Sequence, residues 1–308
     1  MILTVTCNPA LDVTYTVDSL APGAVHRVSA VVERPGGKGV NVARVLQQLG
    51  ERTLATGLAD EAFDAAVAAS GVPSAFVPLL AKVRRTLVVH TDTETTSLWE
   101  PGPTTDAGAA AALEQRVASL LPSAAAVVVS GSLPSGVPAS LPTTLARLAR
   151  AGGLPVVLDL DDEPLALAAE GSGAVLMPNR DELGRLCGAV TARDVVAAAR
   201  DLSRRNGAPV VVTLGADGML AVDGSGSWHA SVPEAVSGNP TGAGDAAAAA
   251  LARGLSRGRS LPETVADAVA LSAAAVLMPV AGEVDLAAYR RWRPRVRVEP
   301  VEHVWTGR

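Results

Sequence analysis

Lysine is nearly absent: Lys38 and Lys82 are the only two, and every other basic side chain is an arginine. Aromatic residues are almost as scarce, with Phe 2, Tyr 2 and Trp 4 in 308 residues. A core must therefore be built from Ala, Val and Leu. Cysteine is limited to Cys7 and Cys187, far apart in the chain. That excludes a disulfide framework and, with no CxxC or Cys/His cluster, a structural zinc site. His26, His90, His229 and His303 lack the spacing of metal ligands. There is no excess of positive charge; the net charge of −5 gives no reason to expect a nucleic-acid partner. Long apolar runs are also missing, and the stretch 246–252 is too short to span a bilayer. A strand begins at once with Ile2, with no basic segment before an apolar one. The expectation is a soluble cytoplasmic protein with no membrane partner. Hydrophobic residues make up 48% of the chain, enough for one large domain over residues 1–308.

What is present is organised around one stretch, Gly238-Asn239-Pro240-Thr241-Gly242-Ala243-Gly244-Asp245, followed by alanines. Glycine and proline stop regular structure, and alanines without β-branching start a helix. Gly242, Ala243 and Gly244 should thus form a turn whose backbone N–H groups open a helix N-terminus, which attracts anions. Asp245 beside such an anion hole fits a general base for a hydroxyl that attacks a phosphate; it also fits an ordinary helix cap.

The rest of the chain alternates strand and helix. Residues 2–7 read as a buried strand ended by Asn8-Pro9, with Asp12 just beyond. Residues 13–17 and 25–32 read as two strands around the Pro22-Gly23 turn, and Gly36-Gly37-Lys38-Gly39 opens a helix whose first turn carries Asn41. A hairpin over 86–91 and 95–99 follows, with Arg84 and Arg85 at its entrance. Strands are then expected at 125–129, 156–158, 174–177 and 209–214, separated by helices. Long helices are expected at 246–256 and 262–277, and the arginine-rich tail from 291 reads as a solvated edge. This rhythm predicts a mostly parallel sheet covered on both faces, with the polar and glycine-rich residues after strand ends on one rim. No G-x-x-x-x-G-K-[ST] loop and no G-x-G-x-x-G after the first strand is present. Asn179-Arg180-Asp181-Glu182 puts an amide and a carboxylate three apart at a helix start. They suit either a hydrated Mg²⁺ or a capping box.

The order of six motifs resembles the ribokinase-like (PfkB) carbohydrate kinases. They are Asn8-Pro9-Ala10-Leu11-Asp12, Gly36-Gly37-Lys38-Gly39-Val40-Asn41, Ser130-Gly131-Ser132-Leu133-Pro134, Asn179 with Glu182, Thr213-Leu214-Gly215-Ala216-Asp217-Gly218, and Gly242-Ala243-Gly244-Asp245. Together they cover residues 1 to about 285. The start and the Ser130 loop resemble the branch of 1-phosphofructokinase, tagatose-6-phosphate kinase and the minor 6-phosphofructokinase. The resemblance implies a three-layer α/β/α sandwich with a small β lid from about 12–33 and 84–100. It implies ATP and Mg²⁺, with Asp245 as base and Gly242, Ala243 and Gly244 as anion hole. Asp12, Gly37, Lys38 and Asn41 would contact the sugar, and Ser130 and Arg84 the phosphate already on it. Arg27 would reach a neighbouring subunit's sugar phosphate in a homodimer formed through the lid. Asn179, Thr213, Gly215 and Gly218 would hold the nucleotide, and Glu182 the metal through water.

Three departures stand out. Met177 replaces the branch's lysine before Pro178-Asn179, Thr86 and Val88 follow the lid arginine in place of more polar residues, and Gly57-Leu58-Ala59-Asp60-Glu61 replaces a glycine-rich turn. The expected activity is ATP-dependent phosphorylation of a ketohexose phosphate, fructose 1-phosphate first, then tagatose 6-phosphate or fructose 6-phosphate. The departures keep two rivals open: a kinase of an unphosphorylated sugar or nucleoside, and a sugar-binding regulator with little turnover.

Overall fold

The computed structural model describes residues 1–91, 94–188 and 194–302. The tail beyond 302, with His303, lies outside them. In chain order the strands are β1 (Ile2–Thr6), β2 (Ala10–Thr16), β3 (Ala30–Gly36), β4 (Thr53–Gly57), β5 (Arg84–His90), β6 (Thr95–Trp99) and β7 (Ala126–Ser130). Then come β8 (Val156–Asp159), β9 (Val175–Leu176), β10 (Val210–Thr213), β11 (Met219–Asp223), β12 (Gly226–Ser231) and β13 (Arg297–Pro300). The helices are α1 (Lys38–Gln48), α2 (Glu61–Ala69), α3 (Ala107–Leu120), α4 (Leu141–Ala151), α5 (Asp162–Ala168) and α6 (Arg180–Cys187). They continue with α7 (Val195–Asn206), α8 (Ala243–Ser256), α9 (Leu261–Val276) and α10 (Leu286–Trp292).

Among the described residues the main sheet runs β13-β12-β11-β10-β9-β8-β7-β1-β4, parallel from β4 to β10 and antiparallel beyond. Successive residues of a strand face opposite ways. Val127 and Val129 of β7 accordingly join a core with Leu113 of α3, Leu145 of α4 and Leu202 of α7. Val128 joins the other core, with α1, α8 and α9. The strands read as unbroken Val/Leu runs because both faces are dry, and each such side chain contributes ~1.5–3 kcal/mol by leaving water. Residues 246–252 of α8 are all fully buried. A helix apolar all round belongs inside, and alanine lets α9 and the sheet approach it closely. The three-layer α/β/α sandwich expected from the motifs is the observed fold.

A second sheet, ordered β3-β2-β5-β6, stands apart at the rim. Its β2 and β5 run parallel, with Asp12 opposite Thr86. Several boundaries differ from the sequence reading. The first lid strand is Ala10–Thr16, not 13–17, so Asp12 lies within it. The second lid strand is Ala30–Gly36, not 25–32. Thr16 pairs with Ala30, while Val25 is 96% exposed in the connecting loop. A run of β-branched residues mistook that loop for a strand. Gly36 therefore ends a strand rather than opening a helix, and α1 begins at Lys38. Helix α8 begins at Ala243, three residues early, so Asp245 lies inside its first turn. The tail does form an edge, with β13 pairing β12, but a helix, α10, precedes it.

Candidate active site

The centre is the start of α8. Gly242 is its N-cap with φ 88°, and a Cβ there would meet Ala281 Cα at 2.8 Å, so only glycine fits. No side chain caps this helix end. The Ala243 N–H turns back to Pro240 O at 3.1 Å, and the N–H groups of Gly244 and Asp245 are left for a ligand, with the helix dipole behind them. Asp245 is 6% exposed, and its Oδ2 accepts from Asn41 Nδ2 at 3.1 Å. Burial first, then the nearby Asp159 carboxylate, pushes its acid up to about 7 against the opposing pull of Lys38 and Asn41.

Helix α1 supplies the next groups. Gly37, φ 95°, must be glycine, since a Cβ would lie 3.0 Å from Pro9 Cα and 3.1 Å from the Thr6 methyl. This close approach lets Lys38 project across to β8, where its Nζ donates to Asp159 Oδ1 at 3.1 Å. Burial works against the Lys38 charge, but Asp159, Asp245 and Glu182 outweigh it and raise the ammonium above its ordinary value. Asp159 is a site residue that the motifs missed, although its place at the end of a parallel strand was the available signal.

The lid brings a second set. Burial raises the Asp12 acid, opposed by a hydrogen bond from the Thr86 hydroxyl and by Arg44, Arg84 and Arg34. Gly36 makes room for it, because a Cβ there would overlap the Asp12 carboxylate. Thr86, which stands where the resemblance calls for a more polar residue, is the hydrogen-bond partner of Asp12. Arg84 is half-buried and Arg85 exposed, on opposite faces of β5. Arg84 shares the Thr86 face of β5, the face that carries the Asp12 partner. Arg84 Nη1 donates to Glu100 O at 3.1 Å, while its buried Nε has no partner. Ser130 Oγ, buried at the end of β7, also has none. A buried donor without a partner in the protein is completed by water, an ion or a ligand. Arg27 is different: it lies exposed in the loop between β2 and β3, and the single chain does not bring it to this cluster.

On the other side of the α8 N-terminus lies a cavity of about 880 Å³. Asn179, Thr213, Gly215 and Gly218 all line it, together with Ala243 and Gly244. Val232, Val236, Val269, Ala273 and Val276 give it an apolar wall. Met177 is packed in the α8-side core, 3% exposed, while Arg180 lines the cavity and pairs with Asp217 at 3.0 Å. Both hydrogen bonds of the Asn179–Glu182 capping box are formed, each 2.8 Å. That engages one Glu182 oxygen, and the carboxyl still feels Lys38, Asp159 and Asp161. Asp60 is explained structurally: it accepts from Phe63 N and Val83 N, each 2.8 Å, and so pins α2 to the chain entering β5. Glu61 is exposed.

The start of α8 thus stands between the cavity of about 880 Å³ on one side and Asp245, Asn41, Lys38 and Asp159 on the other. A profile of the pfkB family carbohydrate kinases matches residues 6–285. The chain is similar to phosphofructokinase-2 from Escherichia coli in complex with fructose-6-phosphate, at 30% identity over 96% of this chain and 98% of that one, TM-score 0.86. A protein from Thermotoga maritima described as a possible 1-phosphofructokinase has 25% identity over 98% and 100%, TM-score 0.88. Ribokinase from Arabidopsis thaliana, complexed with ribose and ATP, shares the fold at 20% identity over 94% and 97%, TM-score 0.72. With a family profile covering nine-tenths of the sequence and the fold shared end to end, this chain belongs to the pfkB family of carbohydrate kinases.

Proposed function

We propose that the protein phosphorylates a ketohexose phosphate with ATP, fructose 1-phosphate to fructose 1,6-bisphosphate before tagatose 6-phosphate or fructose 6-phosphate. One observation carries this reading. Arg84 Nε, buried in the lid near Asp12, and Ser130 Oγ, buried at the end of β7 beside Asp159, have no partner, and a phosphate on the substrate would satisfy them. The relatives named phosphofructokinase support the same substrate class. ATP would occupy the cavity of Asn179, Thr213, Gly215 and Gly218, with its terminal phosphate at Gly242, Ala243 and Gly244. Gly37 gives Lys38 and Asn41 their approach to the sugar. Asp245 takes the proton from the attacking hydroxyl, the hydroxyl attacks the γ-phosphorus in line, and the N–H groups of the turn carry the developing charge.

Among the described residues there is no cluster of three His, Cys, Asp or Glu able to cage a metal. The residues fit a hydrated Mg²⁺ carried by the nucleotide, held through water by Glu182, whose second oxygen the capping box leaves open. When bound it neutralises charge on the phosphates. Glu182→Gln should raise the Mg²⁺ concentration needed for half-maximal kcat by several-fold, with KM for the sugar held. Titrating free Mg²⁺ checks this; an unchanged curve reduces Glu182 to a helix cap.

The lid, 12–33 with 84–100, would be a cover on a single 1–308 domain and the contact surface of a homodimer. Val31, Leu98 and Trp99 on it are 55%, 56% and 71% exposed, an apolar area that a second subunit would cover. Arg27 would then reach the partner's sugar phosphate. A cytoplasmic location accords with the small number of cysteines; no described helix is long and apolar enough to cross a membrane. A coupled ADP-release screen over sugars, sugar phosphates and nucleosides tests the substrate class. It returns the rival reading if a free sugar or nucleoside turns over fastest. Because Asp245 must be ionised to act, kcat/KM should rise with pH through a midpoint at about 7. A pH profile that is flat across that region removes Asp245 as the titrating group.

A further inference from the structure

We infer that Arg44 is a positioning residue: its guanidinium fixes the Asn41 side-chain amide so that the NH₂ end, not the carbonyl end, faces Asp245. The inference rests on the reading of Asp245 as the base. Arg44 lies one turn after Asn41 on α1 and is 8% exposed. Its Nη1 donates to Asn41 Oδ1 at 3.5 Å and its Nη2 to Ser70 Oγ at 3.3 Å. A primary amide has two ends of nearly equal shape, so sterics alone do not orient it. A guanidinium does, because it has donors only. The Asn41 carbonyl must turn to Arg44, which leaves Nδ2 to donate to Asp245 Oδ2 at 3.1 Å. At 3.5 Å the Arg44 contact acts by charge on a dipole more than by hydrogen-bond strength, and burial lengthens the reach of that field.

The segment 281–284 closes the arrangement from outside. A Cβ on Gly282 would meet Asn41 Oδ1 at 3.0 Å and Arg44 Cδ at 3.3 Å. Gly282 O accepts from Gln48 Nε2 at 2.8 Å, and Val284 N donates to Gln48 Oε1 at 3.1 Å. Three residues on one face of α1, spaced for it, thus grip the segment that also backs Gly242. Neither Asn41 nor Arg44 has room to swing away.

The orientation matters because an N–H donor favours the ionised carboxylate, whereas a carbonyl in the same place favours the protonated acid. Other charges face these groups. Asp245 feels Asp159 of β8, Lys38 of α1 and Asp12 of β2. Arg44 feels Arg34 of β3, Asp12 of β2 and Glu283 of the 281–284 segment, and Arg34 is paired with Glu283 at 2.8 Å. Burial first, then Arg34, brings the Arg44 guanidinium down to about 10, so it stays charged where the kinase would work.

The test is the pH profile of kcat for Arg44→Met, alone and in an Asn41→Ala background. Alone, Arg44→Met should lower kcat between about threefold and thirtyfold, the span of coupling between touching polar groups. The acidic midpoint should move up by about 0.5–1 pH unit, as loss of an oriented donor to a carboxylate requires. KM for ATP should stay near wild type. Arg44→Lys, another donor-only cation, should recover most of the lost rate. With Asn41 already removed, Arg44→Met should move the midpoint no further. Arg44→Gln, which keeps a polar group beside Ser70, carries the same expectation and serves if the Met variant fails to fold. An unmoved midpoint in Met and Gln variants overturns the inference, as does an equal shift with and without Asn41. Asp245→Asn separates the two levels: inactive, it leaves the base in place whatever Arg44 does; fully active, it removes the base reading itself.

Discussion

Asp245→Asn should lower kcat by on the order of 10²–10⁴, the range for loss of a positioned general base. Asparagine keeps the shape and still accepts at one oxygen, so the bond from Asn41 and the turn at Gly242 survive. It cannot take a proton. KM for ATP should hold, because the cavity residues are untouched. Folding should hold as well, with a sign that can be worked out. The Asp245 acid lies well above its ordinary value in the fold, at about 7. A carboxyl raised on folding costs stability that grows as pH rises from the unfolded to the folded value, is full above the folded value, and is absent below the unfolded one. The neutral variant should therefore melt no lower than wild type at pH 8, and higher if anything. Single-turnover kinetics with melting curves at pH 8 check both halves. Near-wild-type turnover by the purified variant would dismiss Asp245 as base, and a lower Tm would dismiss the account of its burial.

The layout of the fold was legible because its strands are short, dry and Val-rich, and because glycine and proline punctuate them at one rim. Residues 246–252 announced a buried helix without periodicity, simply by being alanine and leucine throughout. The lid was less legible. A half-exposed sheet tolerates apolar residues on both faces and in its loops, so the valines at 25 and 28 looked like a strand and are not. Site residues within dense motifs, such as Lys38, Asn41 and Asp245, could be named from order along the chain. Their partners could not. Asp159 meets Lys38 across 121 positions of sequence, and Thr86 meets Asp12 across 74. Thr86 could be read from sequence only as less polar than its counterpart, because the carboxylate its hydroxyl donates to lies on another strand. Arg44 went unremarked because its contact is with Asn41, one turn away, and only the buried packing of 281–284 gives that contact a consequence.

Arg84→Ala should raise KM for the phosphosugar ~tenfold or more, since one charge-assisted hydrogen bond is worth ~1.5–3 kcal/mol. A phosphate dianion in the lid needs cationic donors, and arginine suits it because its planar fork makes two such bonds at once. In the structure one arm of the fork is held by Glu100 O, which fixes the guanidinium, while Nε is buried without a partner. Burial lowers the Arg84 pKa, partly offset by Asp12, Asp161 and Glu100, so the site favours an arriving anion over an unpaired charge. KM for ATP should move far less, because Arg84 is in the lid and not among the residues of the nucleotide cavity. Arg85→Ala is the control: its side chain is on the exposed face of β5 and should leave KM near wild type. Arg27 makes a separate point. It lies exposed and away from its own chain's pocket, so Arg27→Ala should match Arg84→Ala only if a second subunit presents it across the lid. Sedimentation of both variants alongside the kinetics separates a lost dimer from a lost contact. If Arg84→Ala leaves KM unchanged for every sugar phosphate while a free sugar or nucleoside turns over faster, the substrate carries no phosphate. Arg84 Nε and Ser130 Oγ would then be buried donors awaiting a sugar hydroxyl instead.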